Sequence, residues 1–348
     1  MKYITAKESY IRYMTVSGKS TTTIASYGST LDRFGAFLHD QGIESIEEVK
    51  PLAITAYMDM RSEQIAPTSL NLELSHIHCM FDYLLDMEVI ERNPVKKSHA
   101  VNRSALREQQ NKEYNNIITR EEIVSILLND SPANTHRAQI NRNRALLMVF
   151  MTTGLRNESV REMKIGDIDF ENKRIKVNAA KGNKVGFAPL CDITAHFLKL
   201  YLADNADLTD DDYLFGFQRV TTTPIYLFSE LPESGRLDKL CAGVVVGYEE
   251  HTERVPFSRQ QMSNTVEAAI KSYLPERTGI RSHALRHSFA SLISNAGMSD
   301  GEVSRLLFHS DGTGASVTRR YISDDLTDLF QKVNAIFNKL TQNFSFSA

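Results

Sequence analysis

The 348-residue sequence predicts a mainly α-helical protein with a small antiparallel β-sheet, divided into two domains. Three observations predict this class. The first hundred residues repeat apolar side chains at helical spacing, and a polar, basic stretch follows at 96–115. The segment 168–190 then alternates apolar and polar residues, which is typical of strands. The length is also large for one domain and comfortable for two.

Residues 1–95 are predicted to form an N-terminal unit of four helices. A short helix is expected near 6–14, and "TTIASYGSTLDRFGAFLHDQG" predicts a second that ends near Gly42. In "PLAITAYMDMRSEQ" the proline suits the first turn of a third helix. A fourth helix ends before Pro94. Its apolar face contains Leu70, Leu74, Ile77, Phe81 and Leu84.

The segment 96–115 is weakly periodic and is predicted to be a linker. Residues 91–115 contain six basic residues against three acidic ones, whereas the whole chain has a net charge of −3. A net charge so close to zero argues against strong, non-specific binding to nucleic acid. It does not exclude DNA binding, because phosphate contact needs only one basic face.

Residues 116–348 are predicted to form the second domain. Thr119 and Glu122 fit a capping box, and the apolar helix "NRALLMVFMTTG" ends near Gly154. Two or three short strands are expected in "IDFENKRIKVNAAKGNKVGFAPL", and helices resume at "DITAHFLKLYLAD" and from Arg259 onward.

Two further segments of this domain stand out. Residues 218–258 are acidic and predict an inserted hairpin, either a surface elaboration or a contact with another protomer. The segment 324–340 predicts a C-terminal helix with an apolar stripe. Periodicity leaves open whether this stripe packs on its own domain or on a neighbouring protomer. The stripe contains Leu326, Leu329, Phe330, Val333, Ile336, Phe337 and Leu340.

Several classes of protein are disfavoured by composition. The three cysteines lie far apart without C-x-x-C spacing, which argues against a disulfide framework and a structural zinc site. Their scatter favours the reducing cytoplasm. The first ten residues contain no long apolar run, so no signal peptide is expected. No window reaches eighteen apolar residues, so no membrane span is expected either.

Five short motifs of the second domain carry residues suited to a phosphodiester. They are "TTGLRNESVREM", "AAKGNKVGF", "HALRH", "LLFHSDG" and "VTRRYI". Arginine offers a planar, permanently charged fork for phosphate oxygens, and a helix start is itself an anion site. Each motif alone has an ordinary structural explanation, whereas the ordered set predicts attack on a phosphodiester. The candidate catalytic residues are Arg156, Lys181, His283, Arg286, His309 and Tyr321.

In these motifs residues 116–330 resemble the catalytic domain of the tyrosine recombinases, the phage-integrase family. The helical first hundred residues resemble that family's SAM-like core-binding domain in helix pattern and position. The resemblance implies a two-domain clamp, a site-specific recombinase or integrase, and a covalent 3′-phosphotyrosyl intermediate. It implies no cofactor and no metal.

The resemblance also implies a role for each candidate. Arg156 and Arg286 would stabilise the charge on the nonbridging oxygens. Tyr321 would be the nucleophile. His283 would take its proton and Lys181 would protonate the leaving oxygen. The remaining candidate, His309, would donate a hydrogen bond to the phosphate.

The sequence departs from the family pattern at three places. Ser159 stands where the family has an acidic residue, and Glu158 lies one position early. Phe308 stands where a glycine is common before the second histidine. The interval from His309 to Tyr321 is 12 residues, about three longer than usual.

The implied partners are double-stranded DNA at specific recombination sites and three further copies of the chain, joined in a tetramer by exchange of the C-terminal helix. Accessory DNA-bending or directionality proteins are implied as well, and the expected location is the nucleoid-associated cytoplasm. A mobile-element integrase is favoured over a resolvase of chromosome dimers by the insertion and the altered spacing. Candidate DNA contacts are Lys96, Lys97, Arg103, Arg107, Lys184, Arg281, Arg319 and Arg320.

Two other functions fit parts of the sequence. A DNA-binding protein without cleavage activity is indicated by "SFASLISNAGMSDGEVSRLLFH", which has the pattern helix, glycine turn, helix. Ser304 and Arg305 would then be its main base-reading residues. A type IB-like topoisomerase would use the same tyrosine chemistry without site preference.

Overall fold

The computed structural model describes residues 1–99, 116–129, 136–179, 184–227, 244–308 and 322–342. The chain divides into two compact units, Met1–Asn115 and Asn116–Ala348. Among the described residues no helix is long and apolar enough to cross a membrane. Cys79 and Cys191 are free thiols, and Cys241 lies outside the described residues.

The first unit contains the four predicted helices. The predicted stop after the second is confirmed, because that helix ends at Asp40 and Gly42 takes a positive φ of 71°. The first helix is longer than predicted at both ends. The bounds are α1 Tyr3–Val16, α2 Thr21–Asp40, α3 Pro51–Ser62 and α4 Pro67–Asp86, with short 3-10 turns at Ile46–Glu48 and Lys97–His99.

The core of the first unit is aromatic and aliphatic, and the charged side chain of Glu73 is buried with it. The five residues predicted for the α4 stripe are all buried, and four of them belong to the same core cluster as Phe34 and Tyr57, namely Leu74, Ile77, Phe81 and Leu84. Glu73 on the same helix is also buried, and its carboxylate accepts hydrogen bonds from Tyr57 (2.8 Å) and Arg61 (3.0 and 2.7 Å). Burial alone would raise the pKa of Glu73, but these bonds lower it overall.

The second unit mixes helices with two small antiparallel sheets. The capping box of Thr119 and Glu122 begins α5, as predicted. The helices are α5 Arg120–Leu128, α6 Arg137–Thr153, α7 Asn157–Arg161, α8 Asp192–Ala203, α9 Arg259–Tyr273, α10 Ser282–Asn295, α11 Asp300–Leu306 and α12 Ile322–Leu340, with a 3-10 turn at Ile165–Asp167. The strands are β1 Ile168–Asp169, β2 Arg174–Ala179, β3 Lys184–Pro189, β4 Gly216–Leu227 and β5 Val244–Pro256.

The predicted sheet at 168–190 is confirmed as three antiparallel strands in the order β1-β2-β3. Its register pairs Ile168 with Ile175, and Val177 with Gly186. The predicted hairpin at 218–258 corresponds to β4 and β5, which pair over 12 residues from Gly216 to Leu227 with a register shift at 225–226. Several apolar side chains of this pair are exposed, among them Tyr248.

Helix α6 lies at the centre of the second unit and packs against α8 and α10. Phe150, Phe197 and Phe289 are fully buried there. The apolar stripe of α12 joins this core through Leu329 and Phe337, so the C-terminal helix packs on its own unit.

A polar anchor holds α12 against the start of α8. The Asp192 carboxylate accepts hydrogen bonds from the side-chain amides of Asn334 and Asn338, both at 2.9 Å. Lys173 donates to its other oxygen at 2.7 Å, and the backbone N–H of Asp192 donates to Asn334. Burial would raise the pKa of Asp192, but these partners lower it overall.

Candidate catalytic site

Arg286 is a buried guanidinium held by the ends of two other helices. It projects from α10, and only 6% of its surface is exposed. Its Nη1 donates to the Gly154 carbonyl at 2.7 Å and its Nη2 donates to the Leu307 carbonyl at 2.7 Å. Those carbonyls follow α6 and α11, where C-terminal C=O groups lack helical partners and carry partial negative charge. We call these three groups the arginine hub.

Gly154 makes this geometry available. It caps α6 with φ of 61° and ψ of 20°, the left-handed conformation that favours glycine. A Cβ at this position would lie 2.8 Å from Leu307 Cδ2 and 3.1 Å from Phe289 Cε1. The turn therefore needs glycine both for its backbone and for the close packing around it.

Arg156 lies next to the hub although it is 130 residues earlier in the sequence. It is exposed and forms the N-cap of α7. Burial lowers the pKa of Arg286 to about 10, and the positive charge of Arg156 contributes to the lowering. Arg286 stays protonated at neutral pH, so two like charges lie close enough to interact. Within the described part of the chain, neither has a carboxylate at ion-pair distance, which leaves a site suited to an anion.

Helix α7 is fixed by Asn157, which is not among the predicted site residues. The Asn157 side-chain amide donates to Ser282 Oγ at 3.1 Å and to Ser263 Oγ at 3.3 Å. These bonds connect the start of α7, and hence Arg156, to α10 and α9. An asparagine directly after an arginine at a helix start was the available signal.

The departure at Ser159 and Glu158 has a structural counterpart. Ser159 is buried in α7, whereas the Glu158 carboxylate is exposed and lies 3.9 Å from Arg161. Glu158 therefore faces Arg161, and the described contacts of Arg156 include no carboxylate.

His283 and Arg286 share one side of α10, as their spacing predicts. Both line a depression of about 340 Å³ between α10 and α11, together with His287 and Asp300. The Nε2 atoms of His283 and His287 are 3.1 Å apart, so one ring donates and the other accepts. The structure thus brings the exposed imidazole of His283 beside Arg286, and Arg156 lies close enough to Arg286 to lower its pKa.

The structure places the other predicted residues as follows. Lys96 is exposed and its Nζ donates to the Asn93 carbonyl at 2.9 Å. Arg281 caps α10 and its Nε lies 3.2 Å from Glu267, so its charge is already paired. The remaining predicted residues lie outside the described part of the chain: Lys181, His309, Tyr321, Arg103, Arg107, Arg319 and Arg320. The side chains of Lys97 and Lys184 lie outside it as well.

Comparison with known families identifies the class to which this fold and site belong. The phage integrase family matches residues 116–327, and the phage integrase N-terminal SAM-like domain matches residues 8–88. The first match alone spans more than half of the chain. The chain belongs to the phage integrase family.

Curated relatives of the chain are named tyrosine recombinases. XerC of Lacticaseibacillus casei is 27% identical over 192 residues, which are 53% of this chain and 59% of that protein. The matched segment therefore spans under two thirds of that relative's length. XerA of Thermococcus onnurineus is 25% identical over 333 residues, or 94% of this chain and 95% of that protein.

Solved structures show the same fold. A lambda integrase dimer bound to a COC′ core site has a TM-score of 0.58 at 17% identity and matches 90% of this chain and 97% of its own. A lambda integrase tetramer bound to a Holliday junction has a TM-score of 0.59 at 17% identity, over 90% and 79%. XerH bound to a palindromic difH substrate after cleavage has a TM-score of 0.58 at 16% identity, over 92% and 79%.

Proposed function

We propose that this protein is a site-specific DNA recombinase that cleaves and rejoins strands through a covalent 3′-phosphotyrosyl intermediate. The observation that carries the proposal is the pair of arginines: Arg286 in the arginine hub and Arg156 beside it, neither with a described carboxylate at ion-pair distance. A scissile phosphate supplies the missing negative charge, and two guanidinium groups match its nonbridging oxygens. Family membership supports the same reaction.

The reaction is a transesterification, in which one phosphoester bond replaces another and none is hydrolysed. The Tyr321 oxygen attacks phosphorus, the bond from phosphorus to the 5′ oxygen breaks, and that oxygen leaves as a hydroxyl group. His283 takes the tyrosine proton, and Lys181 donates a proton to the leaving oxygen. His309 donates a hydrogen bond to the phosphate. The reverse attack by a hydroxyl of another strand releases the tyrosine, so the step needs no nucleotide cofactor.

The geometry of the arginine hub favours the charge of the transition state. Attack adds negative charge to the nonbridging oxygens, and donors already in place stabilise it without reorganising. The two carbonyls fix the plane of the Arg286 guanidinium before DNA arrives. Burial and the charge of Arg156 lower the pKa of Arg286, and a bound anion would offset both effects.

The proposal extends to the assembly and the biological role. The helical unit 1–95 and the second unit 116–348 both bind duplex DNA, with the linker 96–115 and the predicted basic side chains contacting phosphates. Four protomers assemble on DNA by exchanging α12, which would have to leave its anchor at Asp192. The long hairpin of β4 and β5 favours a mobile-element integrase in the nucleoid-associated cytoplasm, served by accessory proteins.

Capture of covalent adducts tests the reaction directly. Wild type and Tyr321→Phe are expressed in cells that carry the native locus, the cells are lysed in detergent, and protein-bound DNA is sequenced. We expect adducts at one or a few sites in the wild type and none in the variant. Adducts at all sequences would indicate a topoisomerase. Target binding without any adduct would indicate a DNA-binding protein that does not cleave.

A further inference from the structure

Phe308 has an unusual backbone for a bulky residue. It directly follows Leu307, and its φ of 53° lies in the left-handed region that aromatic side chains rarely adopt. Its N–H donates to the Arg305 carbonyl at 3.1 Å, which closes the end of α11. Something outside the backbone must hold this conformation in place.

The ring of Phe308 lies directly on the backbone of Gly186 in β3. A Cβ at Gly186 would collide with the ring edge and would lie 3.3 Å from Cδ1 and 3.4 Å from Cζ. Gly186 pairs with Val177 in the middle of the β2–β3 ladder, where glycine normally weakens a strand. The contact therefore explains both an aromatic residue at positive φ, Phe308, and a glycine inside a strand, Gly186, each of which is locally unfavourable.

This contact joins two parts of the second unit that are remote in sequence. On one side is the Leu307 carbonyl, which accepts the 2.7 Å hydrogen bond from Arg286 and precedes Phe308 by one peptide bond. On the other side is the β2–β3 hairpin. We propose that Phe308 is a positioning residue, whose ring on Gly186 holds the β2–β3 hairpin in a fixed place relative to the arginine hub.

The proposal rests on the proposed function in one respect. In the sequence Lys181 lies between β2 and β3, and His309 directly follows Phe308; both lie outside the described residues. If those two residues act on the phosphate, a shift of the hairpin against the hub separates the proton donor from the two arginines. A displacement of about 1 Å in such an arrangement lowers reaction rates by about a hundredfold.

Three variants perturb the contact in different ways. Phe308→Gly removes the ring and leaves a residue that accepts the positive φ. Gly186→Ala keeps the ring and forces it away. The double variant has neither the ring nor the collision. Val185→Ala is the matched control, because Val185 is the neighbouring residue of β3, is 60% exposed and points to the opposite face.

The first measurement needs no DNA. Amide hydrogen exchange of the full chain is followed by mass spectrometry in peptides that include β2 and β3. We expect exchange to be about tenfold faster in Phe308→Gly than in wild type, and unchanged in Val185→Ala. Equal exchange in wild type and Phe308→Gly would overturn the contact as a constraint on the hairpin.

The second measurement uses a nicked duplex with the cleavage site recovered by adduct capture. We expect each single variant to bind this duplex within about twofold of wild type and to form adduct about 10- to 100-fold more slowly. The double variant should be no slower than Phe308→Gly, because the alanine no longer meets a ring.

The outcomes separate the two proposals. The positioning role would be overturned if both single variants formed adduct at the wild-type rate. It would also be overturned if the rate reductions of the single variants multiplied in the double variant. Either outcome would leave the proposed recombinase function intact. A wild type that forms no adduct would overturn the proposed function and the positioning role in it. Hydrogen exchange would then still decide whether the ring constrains the hairpin.

Discussion

Gly154→Ala tests whether the turn that supplies a carbonyl to Arg286 depends on close packing as well as on backbone conformation. The native φ of 61° costs a non-glycine residue about 1–2 kcal/mol. The new Cβ would also lie 2.8 Å from Leu307 Cδ2 and 3.1 Å from Phe289 Cε1, which are both buried. Overpacking of a full core costs about 1–3 kcal/mol. We expect the second unit to lose about 2–5 kcal/mol of its free energy of unfolding.

Gly279→Ala is the control for the backbone contribution. Gly279 has a similar φ of 73°, but a Cβ there has no heavy atom within 4 Å. Its expected cost is therefore the conformational part alone, about 1–2 kcal/mol. The difference between the two variants, about 1–3 kcal/mol, measures the collision with Phe289 and Leu307.

The assay must read the second unit separately from the first. Urea unfolding is combined with pulsed hydrogen exchange and mass spectrometry, and peptides from α6 and α10 report on the core that contains Phe150 and Phe289. Equal destabilisation in Gly154→Ala and Gly279→Ala would refute the packing argument. The core would then have accommodated a methyl group where the structure leaves no space for one.

Three further predictions follow from the charged groups. Arg156→Ala removes one of the two proposed donors for the phosphate, so we expect adduct formation to fall by about 10²–10³-fold with the fold intact by circular dichroism. A fall of less than about tenfold would contradict the proposed role. Asp192→Asn should lower the melting temperature at neutral pH by removing the charge that Lys173 contacts. Because the folded-state pKa of Asp192 is depressed, the difference from wild type should begin to shrink below about pH 4, near the unfolded-state pKa, and be lost as the pH falls through the lower folded-state pKa. A difference that stays constant as the pH falls below about 4 would refute this. Glu73→Gln should lower the free energy of unfolding of the first unit, measured in urea, by about 2–3 kcal/mol, because the largely buried Arg61 loses its counter-charge. An unchanged urea midpoint would show that the Glu73 charge is dispensable.

The helical architecture could be predicted from the sequence because its causes are local. Apolar spacing placed α2 and α4, the capping box of Thr119 marked the start of α5, and alternation marked β2 and β3. These signals act over one or two turns of helix or one pair of strands. The ends of α1 differed from the prediction, because weak periodicity marks a helix better than it marks its limits.

The candidate site was predicted only in part. The spacing of His283 and Arg286 placed both on one side of a helix, and the turn at Gly154 marked the approach to Arg156. The role of Asn157 was missed because its partners lie 106 and 125 residues away in the sequence.

By itself the sequence determined the helices, the small sheet and the order of the motifs, since all of these follow from side-chain periodicity and from residue types at short spacing. Only the tertiary structure decided which distant groups meet. It brought Gly154 and Leu307, respectively 132 and 21 residues from Arg286 in sequence, onto one guanidinium, and it set Phe308 on Gly186. These contacts depend on how side chains from distant segments pack together in the second unit, and no local pattern in the chain encodes that packing.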